Sequence, residues 1–128
     1  MKILLDTHAF LWMITGAEDL SKTARKIVLN SENTLFLSMA SVWEMAIKSS
    51  LGKLTLRQPL KQFIPEQLQM SGISLLNIAF QHIAKVALLP LHHRDPFDRL
   101  LIAQSLVDKI NILSSDKVFD AYKLKRLW

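Results

Sequence analysis

The stretch KILLDTHAFLW, residues 2–12, places a short apolar run directly before an acidic residue. The run Lys2–Leu5 is typical of a buried strand, which then ends at Asp6. The segment Thr7–Met13 that follows is predicted to be helical. A strand that leads at once into a helix is the repeating unit of α/β folds, so this stretch predicts such a fold with a carboxylate at the strand–helix junction.

The same alternation of strand and helix continues along the whole chain. Segments with helical spacing separate the strand candidates, and one of them, residues 59–72, contains Pro65, a residue type that breaks or kinks helices. The alternation predicts one α/β domain, residues 1–128, whose central, mostly parallel sheet of four to five strands is covered by helices on both faces. The further strand candidates are TLFLS (34–38), ISLLNI (73–78), INILSSD (110–116) and, at the edge, LKRLW (124–128).

The composition narrows the class of protein. Half of the 128 residues are hydrophobic and 21% are charged, which is typical of a folded globular chain. The absence of cysteine excludes a disulfide framework and a thiolate zinc site. The apolar run near the N-terminus is too short for a signal peptide and no apolar run is long enough to span a membrane, so we expect a cytoplasmic protein. The net charge of +5 is compatible with a polyanionic partner, although many basic proteins bind no nucleic acid.

Two aspartates follow predicted strands. Asp6 ends the first strand and Asp116 ends the fourth. Ligands of open parallel sheets bind beyond the carboxyl ends of the strands, so both side chains are expected at the same edge of the sheet. Each residue has a purely structural alternative, because an aspartate after a strand often caps the next helix.

Glu44 lies on the helix after the second strand, and its role depends on where that helix begins. Ser41 and Glu44 match the S-x-x-E pattern of a capping box. If the helix begins at Ser38 instead, Glu44 lies in the second turn beside apolar neighbours and needs a compensating cation. The sequence leaves both alternatives open.

The stretch HHRDPFDRLLIAQS, residues 92–105, places two acids at the start of an apolar helix. Pro96 suits the first helical position, which makes Asp95 the N-cap. Asp98 is then the third residue of the helix, where the helix dipole favours a carboxylate. Because Leu101 and Ile102 lie three and four residues further on, we expect Asp98 to face the interior, where an unpaired acid is costly.

Asp6, Glu44, Asp98 and Asp116 are thus predicted to meet beyond the carboxyl ends of the strands. Two carboxylates that are 4 Å apart repel by roughly 4 kcal/mol at an effective dielectric constant of about 20. Such a cluster requires a cation, and an all-oxygen ligand set suits Mg²⁺ or Mn²⁺. Because the chain also carries 16 Lys and Arg residues, this metal site indicates phosphate chemistry.

Four motifs carry a resemblance to a known family. They are LLDTHAFLW (4–12), SVWEMAIKSSLGKL (41–54), DPFDRLLIAQS (95–105) and ILSSD (112–116), in this order along essentially the whole chain. In these motifs the sequence resembles the PIN domain family, and specifically the VapC-type toxin ribonucleases of prokaryotic toxin–antitoxin pairs. The resemblance implies a three-layer PIN-like sandwich and Mg²⁺- or Mn²⁺-dependent endonucleolytic cleavage of RNA, which inhibits translation or growth. It also implies a small antitoxin protein that covers the site, and a homodimer.

The resemblance also assigns roles to individual residues. Asp6 matches the central metal ligand, Asp98 and Asp116 complete the site, and Glu44 is either a further ligand or the base that orients water. Asp95 is an additional acid of the DPFDR motif. Two side chains are predicted to contact phosphate or a metal-bound water, namely Thr7 and Ser115. Four basic side chains are predicted to contact the RNA backbone: Arg94, Arg99, Lys48 and Lys53. For each of these four, the alternative is a solvated surface charge without such a role.

Other conspicuous side chains have simpler interpretations. His92 and His93 are adjacent and cannot easily share one ion, so we expect surface residues or substrate contacts rather than zinc ligands. His8 is expected to pack locally at the start of its helix. Trp12 and Trp43 are expected in the core.

Three other classes of function compete with the nuclease. A haloacid-dehalogenase-like phosphatase, which is an α/β metal-dependent enzyme, needs a second aspartate two residues after the first, where this chain has His8. A Rossmann-type cofactor domain needs a G-x-G-x-x-G motif, which the sequence lacks. A non-catalytic PIN-like module that binds RNA or protein is the main alternative, and the complete set of four acids disfavours it.

Overall fold

The computed structural model describes residues 1–128 as five β-strands, six α-helices and one 3-10 helix. Every element expected from the sequence is present. The strands are β1 (Lys2–Leu5), β2 (Thr34–Ser38), β3 (Ser74–Leu76), β4 (Asn111–Leu113) and β5 (Arg126–Leu127). The helices are α1 (Thr7–Thr15), α2 (Lys22–Leu29), α3 (Met39–Ser50), α4 (Leu60–Ser71), α5 (Phe80–Leu88), α6 (Pro96–Asp108) and the 3-10 helix Lys117–Ala121.

All strand pairs of the sheet are parallel, and the strand order is β3-β2-β1-β4-β5. This arrangement confirms the predicted α/β fold, and the C-terminal segment forms the edge strand as expected. The chain builds the sheet from β1 to β3 in one direction and then adds β4 and β5 on the other side of β1. The boundary between β1 and β4 is therefore the point where the strand order reverses, and the crevice beyond it is where open α/β sheets bind ligands.

Alternating residues of β1 enter two separate apolar layers. Ile3 and Leu5 are fully buried in a cluster that includes Phe10 of α1, whereas Leu4 is fully buried in a second cluster with Ile102 of α6. The sheet is thus covered by helices on both faces, as the three-layer prediction requires. None of the helices combines the length and the apolar character that crossing a membrane would require.

The expectations for Pro65 and Trp43, two residues that lie in helices, differ from what the structure shows. Helix α4 continues through Pro65 without a break. Trp12 packs, partly buried, against the core as expected, but Trp43 is 54% exposed and lies edge-on to Phe97, with ring centroids 5.0 Å apart. The expectation for Trp43 is wrong because this position of α3 faces outward, beside the start of α6, and no apolar layer covers it.

A candidate metal centre beyond the ends of the strands

Asp6 lies at the point where the strand order reverses. Its backbone N–H donates to the carbonyl of Leu113 at 3.1 Å, which continues the pairing of β1 with β4 and sets Asp6 beside Ser114. The carboxylate accepts a hydrogen bond from the N–H of Ala9 at 2.7 Å and is the N-cap of α1. Burial raises the pKa of this carboxyl, and the hydrogen bond from Ser114 offsets only part of that effect. Asp6 therefore combines a capping role with a buried charge at the predicted edge of the sheet.

The start of α6 gives different surroundings to its two acids. Pro96 is the first helical residue, and Asp95 is the N-cap that accepts hydrogen bonds from the N–H groups of Phe97 at 2.8 Å and Asp98 at 3.0 Å. This is the cap that the sequence predicts. The side chain of Asp98 is turned inward and is only 24% exposed, also as expected.

The pKa of Asp98 is raised from 3.8 to about 8, mainly by burial. Neighbouring carboxylates raise it further, and they are Asp95, Asp6, Glu44 and Asp116. The only ion-pair partner of Asp98 is the imidazole of His93, with 3.1 Å between Nε2 and Oδ2. The four acids predicted from the sequence therefore lie close enough to act on one another, and no lysine or arginine forms a salt bridge with Asp98.

Glu44 is buried as well, but its charge is compensated within the protein. The N-cap of α3 is Ser38, whose hydroxyl accepts a hydrogen bond from the N–H of Ala40 at 2.9 Å, so Glu44 lies in the second turn and the capping-box alternative is wrong. The Thr7 hydroxyl donates to Oε1 of Glu44 at 2.7 Å, and Nζ of Lys48 donates to Oε2 at 2.6 Å. The cation that this placement requires is supplied by the same helix, one turn later.

Two predicted contacts to the substrate are therefore engaged within the protein. Thr7, predicted to bind phosphate or a metal-bound water, uses its hydroxyl proton on Glu44, and its oxygen also lies 2.9 Å from Oγ of Ser41. Lys48, predicted to contact RNA, has its pKa raised chiefly by the hydrogen bond to Glu44. The Lys48 side chain is 41% exposed, so its ammonium can face a ligand while it holds Glu44.

Asp116 caps the 3-10 helix and meets the side chain of His93. Its Oδ1 accepts a hydrogen bond from the N–H of Val118 at 3.0 Å, and its Oδ2 lies 2.9 Å from Nε2 of His93. The side chain of His93 is only 12% exposed. The expectation of a surface residue is thus correct for His92 and wrong for His93, because the loop turns one of the two adjacent rings inward.

Ser114, and not the predicted Ser115, is the serine of this site. Ser114 is fully buried, and its hydroxyl accepts a hydrogen bond from the N–H of Asp116 at 3.0 Å and also bonds to Asp6. Ser115 is exposed. Both serines follow β4 directly, so the sequence alone does not indicate which of them turns inward.

The predicted RNA contacts separate into engaged and free side chains. The guanidinium of Arg99 makes four hydrogen bonds of 3.1 to 3.3 Å to backbone carbonyls at the end of α5 and in the loop after it. Arg99 therefore ties this loop to α6, and one of its five N–H donors is left. Arg94 and Lys53 are exposed and their side chains form no hydrogen bond within the chain, so they are the cations that a ligand can reach.

The donor set fits a hard divalent cation. Side-chain atoms of His93, Asp98 and Asp116 lie within 4.8 Å of one another. The carboxylate of Asp6 is near enough for its charge to raise the pKa of Asp98. Carboxylate oxygens are the ligands that Mg²⁺ and Mn²⁺ prefer, and the raised pKa of Asp98 indicates that the fold provides no sufficient countercharge there.

Comparison with known sequences places these residues in a family. The family model of the PIN domain matches residues 3–125. Ribonuclease VapC16 of Mycobacterium tuberculosis is 37% identical over 68 residues, which are 53% of this chain and 48% of that protein. The match thus spans about half the length of this relative.

Solved structures have the same fold. VapBC2 from Rickettsia felis, bound to a DNA fragment from its promoter, aligns over 100% of both chains with a TM-score of 0.71 and 13% identity. A toxin–antitoxin complex from Klebsiella pneumoniae aligns over 98% of this chain and 96% of the other, with a TM-score of 0.63 and 12% identity. Because the family match covers nearly the whole sequence, the chain belongs to the PIN domain family.

Proposed function

We propose that this protein is a Mg²⁺- or Mn²⁺-dependent endoribonuclease, the toxin of a type II toxin–antitoxin pair, which hydrolyses RNA phosphodiester bonds in the cytoplasm and inhibits translation or growth. The observation that carries the proposal is the meeting of Asp6, Asp98 and Asp116 at the reversal of strand order, where Asp98 has no basic partner except an imidazole. The partial match to a protein named as a ribonuclease supports the activity.

Some residues of the site would bind the cation and others would contact the RNA. Asp6, Asp98 and Asp116 are the residues that would hold Mg²⁺ or Mn²⁺. A cation held there would supply an activated water for attack on phosphorus and would balance the charge that develops on the leaving oxygen. Both oxygens of Glu44 already accept hydrogen bonds, so we assign to Glu44 the orientation of Lys48, whose ammonium attracts the scissile phosphate. Arg94 and Lys53 contribute a weaker, sequence-independent attraction to the RNA backbone.

The proposal is tested by incubating purified protein with end-labelled single-stranded RNA in Mn²⁺, in Mg²⁺ and in EDTA. We expect cleavage only with a divalent metal, and we expect its loss in Asp116→Asn. The matched control is Glu32→Gln, which removes one negative charge at an exposed position just before β2, at the opposite edge of the sheet from the site. This control is expected to cleave like the wild type.

The same assay separates the alternatives. Binding of RNA without cleavage, with Mn²⁺ and Mg²⁺ supplied, would favour the non-catalytic module. Hydrolysis of a phosphate monoester without any cleavage of RNA would favour an α/β metal-dependent phosphatase. Metal-independent cleavage that survives in Asp116→Asn would show that the activity comes from a different site or a contaminant.

A protein partner is part of the proposal, since similar structures include a toxin–antitoxin complex. A groove of about 520 Å³ offers an apolar surface for a segment of a small antitoxin, and its lining includes Trp12, Leu54, Leu56 and Phe63. The homodimer is supported by the exposed apolar side chains Phe80 and Ile83 on α5. We expect co-expression with the product of a small neighbouring reading frame to relieve growth arrest, and light scattering of the purified chain to give twice its mass.

A further inference from the structure

His93 lies between two of the proposed metal ligands. Its Nε2 atom is 2.9 Å from Oδ2 of Asp116 and 3.1 Å from Oδ2 of Asp98. An imidazole at this distance from two carboxylates has two possible roles. It can coordinate the same cation as the carboxylates, or it can donate a hydrogen bond to them.

The other ring nitrogen decides between these roles. Nδ1 of His93 accepts a hydrogen bond from the backbone N–H of Asp95 at 3.2 Å. A nitrogen that accepts a hydrogen bond carries no hydrogen of its own, so the ring hydrogen is on Nε2. In this orientation Nε2 is a donor and has no lone pair for a cation. His93 therefore donates a hydrogen shared between Asp98 and Asp116.

The surrounding residues hold the ring in this orientation. The hydroxyl of Tyr122 accepts hydrogen bonds from the backbone N–H groups of His92 at 3.2 Å and His93 at 2.8 Å, and it donates to the carbonyl of Pro90 at 2.8 Å. The ring of Phe119 packs against the ring of His93, with centroids 5.5 Å apart. To present a lone pair to a cation, the imidazole would have to give up its bond to the N–H of Asp95.

We propose that His93 is a positioning residue that holds Asp98 and Asp116 together for a divalent cation and is not itself a ligand. The proposal rests on the metal site of the proposed function. Binding of a cation requires both carboxylates to be ionised, and without a donor between them the two charges would repel and turn the side chains apart. The cation would then have to bring them together at the expense of its own affinity. Hydrogen bonds to ligating carboxylates typically change metal affinity by about 10- to 100-fold.

Three variants of the full-length protein separate a donor from a ligand. His93→Ala removes the donor, whereas His93→Gln keeps an N–H at a similar reach. His92→Gln is the matched control, because His92 is the exposed neighbour and its ring packs against Tyr122 instead of facing the carboxylates. Circular dichroism and melting in EDTA establish that each variant is folded before metal is added.

Mn²⁺ binding is measured by electron paramagnetic resonance, and the ligands of the bound ion are identified by pulsed spectra of the wild type. We expect no directly coordinated nitrogen, an affinity about 10- to 100-fold weaker in His93→Ala, most of the affinity restored in His93→Gln, and no change in His92→Gln. A coordinated nitrogen that disappears in His93→Ala would show that His93 is a ligand. Unchanged or tighter binding in His93→Ala would show that the carboxylates need no donor. Failure of the wild type to bind Mn²⁺ is a separate result, which would overturn the metal site and the role of His93 with it.

Discussion

Glu44 is buried and Asp98 is largely buried, and the charges of these two carboxylates of the acidic cluster are compensated to different extents. Glu44 accepts hydrogen bonds from the hydroxyl of Thr7 and the ammonium of Lys48. Asp98 has only the imidazole of His93, and its pKa is raised to about 8. The protein therefore neutralises one of the two charges with its own residues and leaves the other in need of a positive charge. Both side chains are largely removed from solvent, so we infer that the missing countercharge, and not burial, marks the place of the proposed cation.

The largest effect that this comparison predicts is on catalysis by Asp98→Asn. The amide keeps the shape of the side chain but removes the charge, so cleavage of RNA is expected to fall by at least about 100-fold, a loss of several kcal/mol of metal-assisted stabilisation. Asp95→Asn, three residues away, retains the cap because asparagine caps a helix about as well as aspartate, and is expected to lose less than about tenfold. RNA cleavage across a Mn²⁺ titration measures both. An inactive Asp95→Asn beside an active Asp98→Asn would show that the roles of the two acids are exchanged.

The second largest effect of Asp98→Asn is expected on how the stability of the metal-free protein depends on pH. The pKa of Asp98 is raised from 3.8 to about 8, so the folded protein binds more protons than the unfolded chain between these values. The contribution of Asp98 to the free energy of unfolding is therefore full below about pH 4 and is lost as the pH rises to about 8. Melting in EDTA from pH 5 to 8 is expected to show a steeper decline for the wild type than for Asp98→Asn, with Glu32→Gln following the wild type. Equal slopes for all three would contradict the raised pKa.

A smaller effect, on the free energy of unfolding, is expected when the ion pair between Glu44 and Lys48 is broken. Lys48→Met keeps the aliphatic stem but leaves Glu44 with one hydrogen-bond donor, and an under-satisfied buried acceptor typically costs about 1 to 3 kcal/mol. Urea unfolding of Lys48→Met, Glu44→Gln and the double variant measures the coupling between the two residues. If the pair is what neutralises the charge of Glu44, the double variant recovers part of the stability that Lys48→Met loses. Full additivity of the two single changes would mean that Lys48 is only a surface charge.

The smallest effect is on the cap of α6. Asp95→Ala removes the acceptor for the N–H groups of Phe97 and Asp98, and loss of such a cap costs about 1 kcal/mol of stability. Because Asp95 also raises the pKa of Asp98, the alanine variant loses a helix cap and relieves part of the repulsion at the same time. Chemical denaturation at pH 5 and at pH 8 separates the lost cap from the relieved repulsion. The loss of stability in Asp95→Ala is expected to be larger at pH 5, because Asp98 is protonated there and no repulsion between the two acids is relieved. A loss that is larger at pH 8 would contradict the repulsion between these two acids.

Much of the architecture follows from local signals in the sequence. Asp6 and Asp116 follow strands that are parallel neighbours, so the rule that ligands bind at the carboxyl ends of parallel strands was sufficient to place them at one edge. Pro96 fixed the start of α6 and with it the cap at Asp95. The sequence is also sufficient to predict the ion-pair partner of Glu44, because Lys48 lies four residues later on the same helix face.

What the sequence did not predict depends on contacts between distant residues. His93 faces the carboxylates because the hydroxyl of Tyr122, 29 residues further along, binds the backbone of the loop. The inward turn of Ser114 and the outward position of Trp43 depend in the same way on how β4 and α3 pack against their neighbours. The resemblance to the PIN domain family identified the acids, but it did not distinguish the carboxylate that is compensated from the one that is not.

The most direct test of this account is thermal melting of the wild type and Asp98→Asn at pH 8, in EDTA and in Mn²⁺. In EDTA we expect the melting temperature of Asp98→Asn to equal or exceed that of the wild type, because a largely buried charge without a sufficient countercharge has been removed. We expect Mn²⁺ to stabilise the wild type by about 2.7 kcal/mol at 100 times its dissociation constant and to stabilise the variant much less. An Asp98→Asn variant that unfolds more easily in EDTA, or that gains as much from Mn²⁺ as the wild type, would show that Asp98 has a structural role and that the metal, if bound, lies elsewhere.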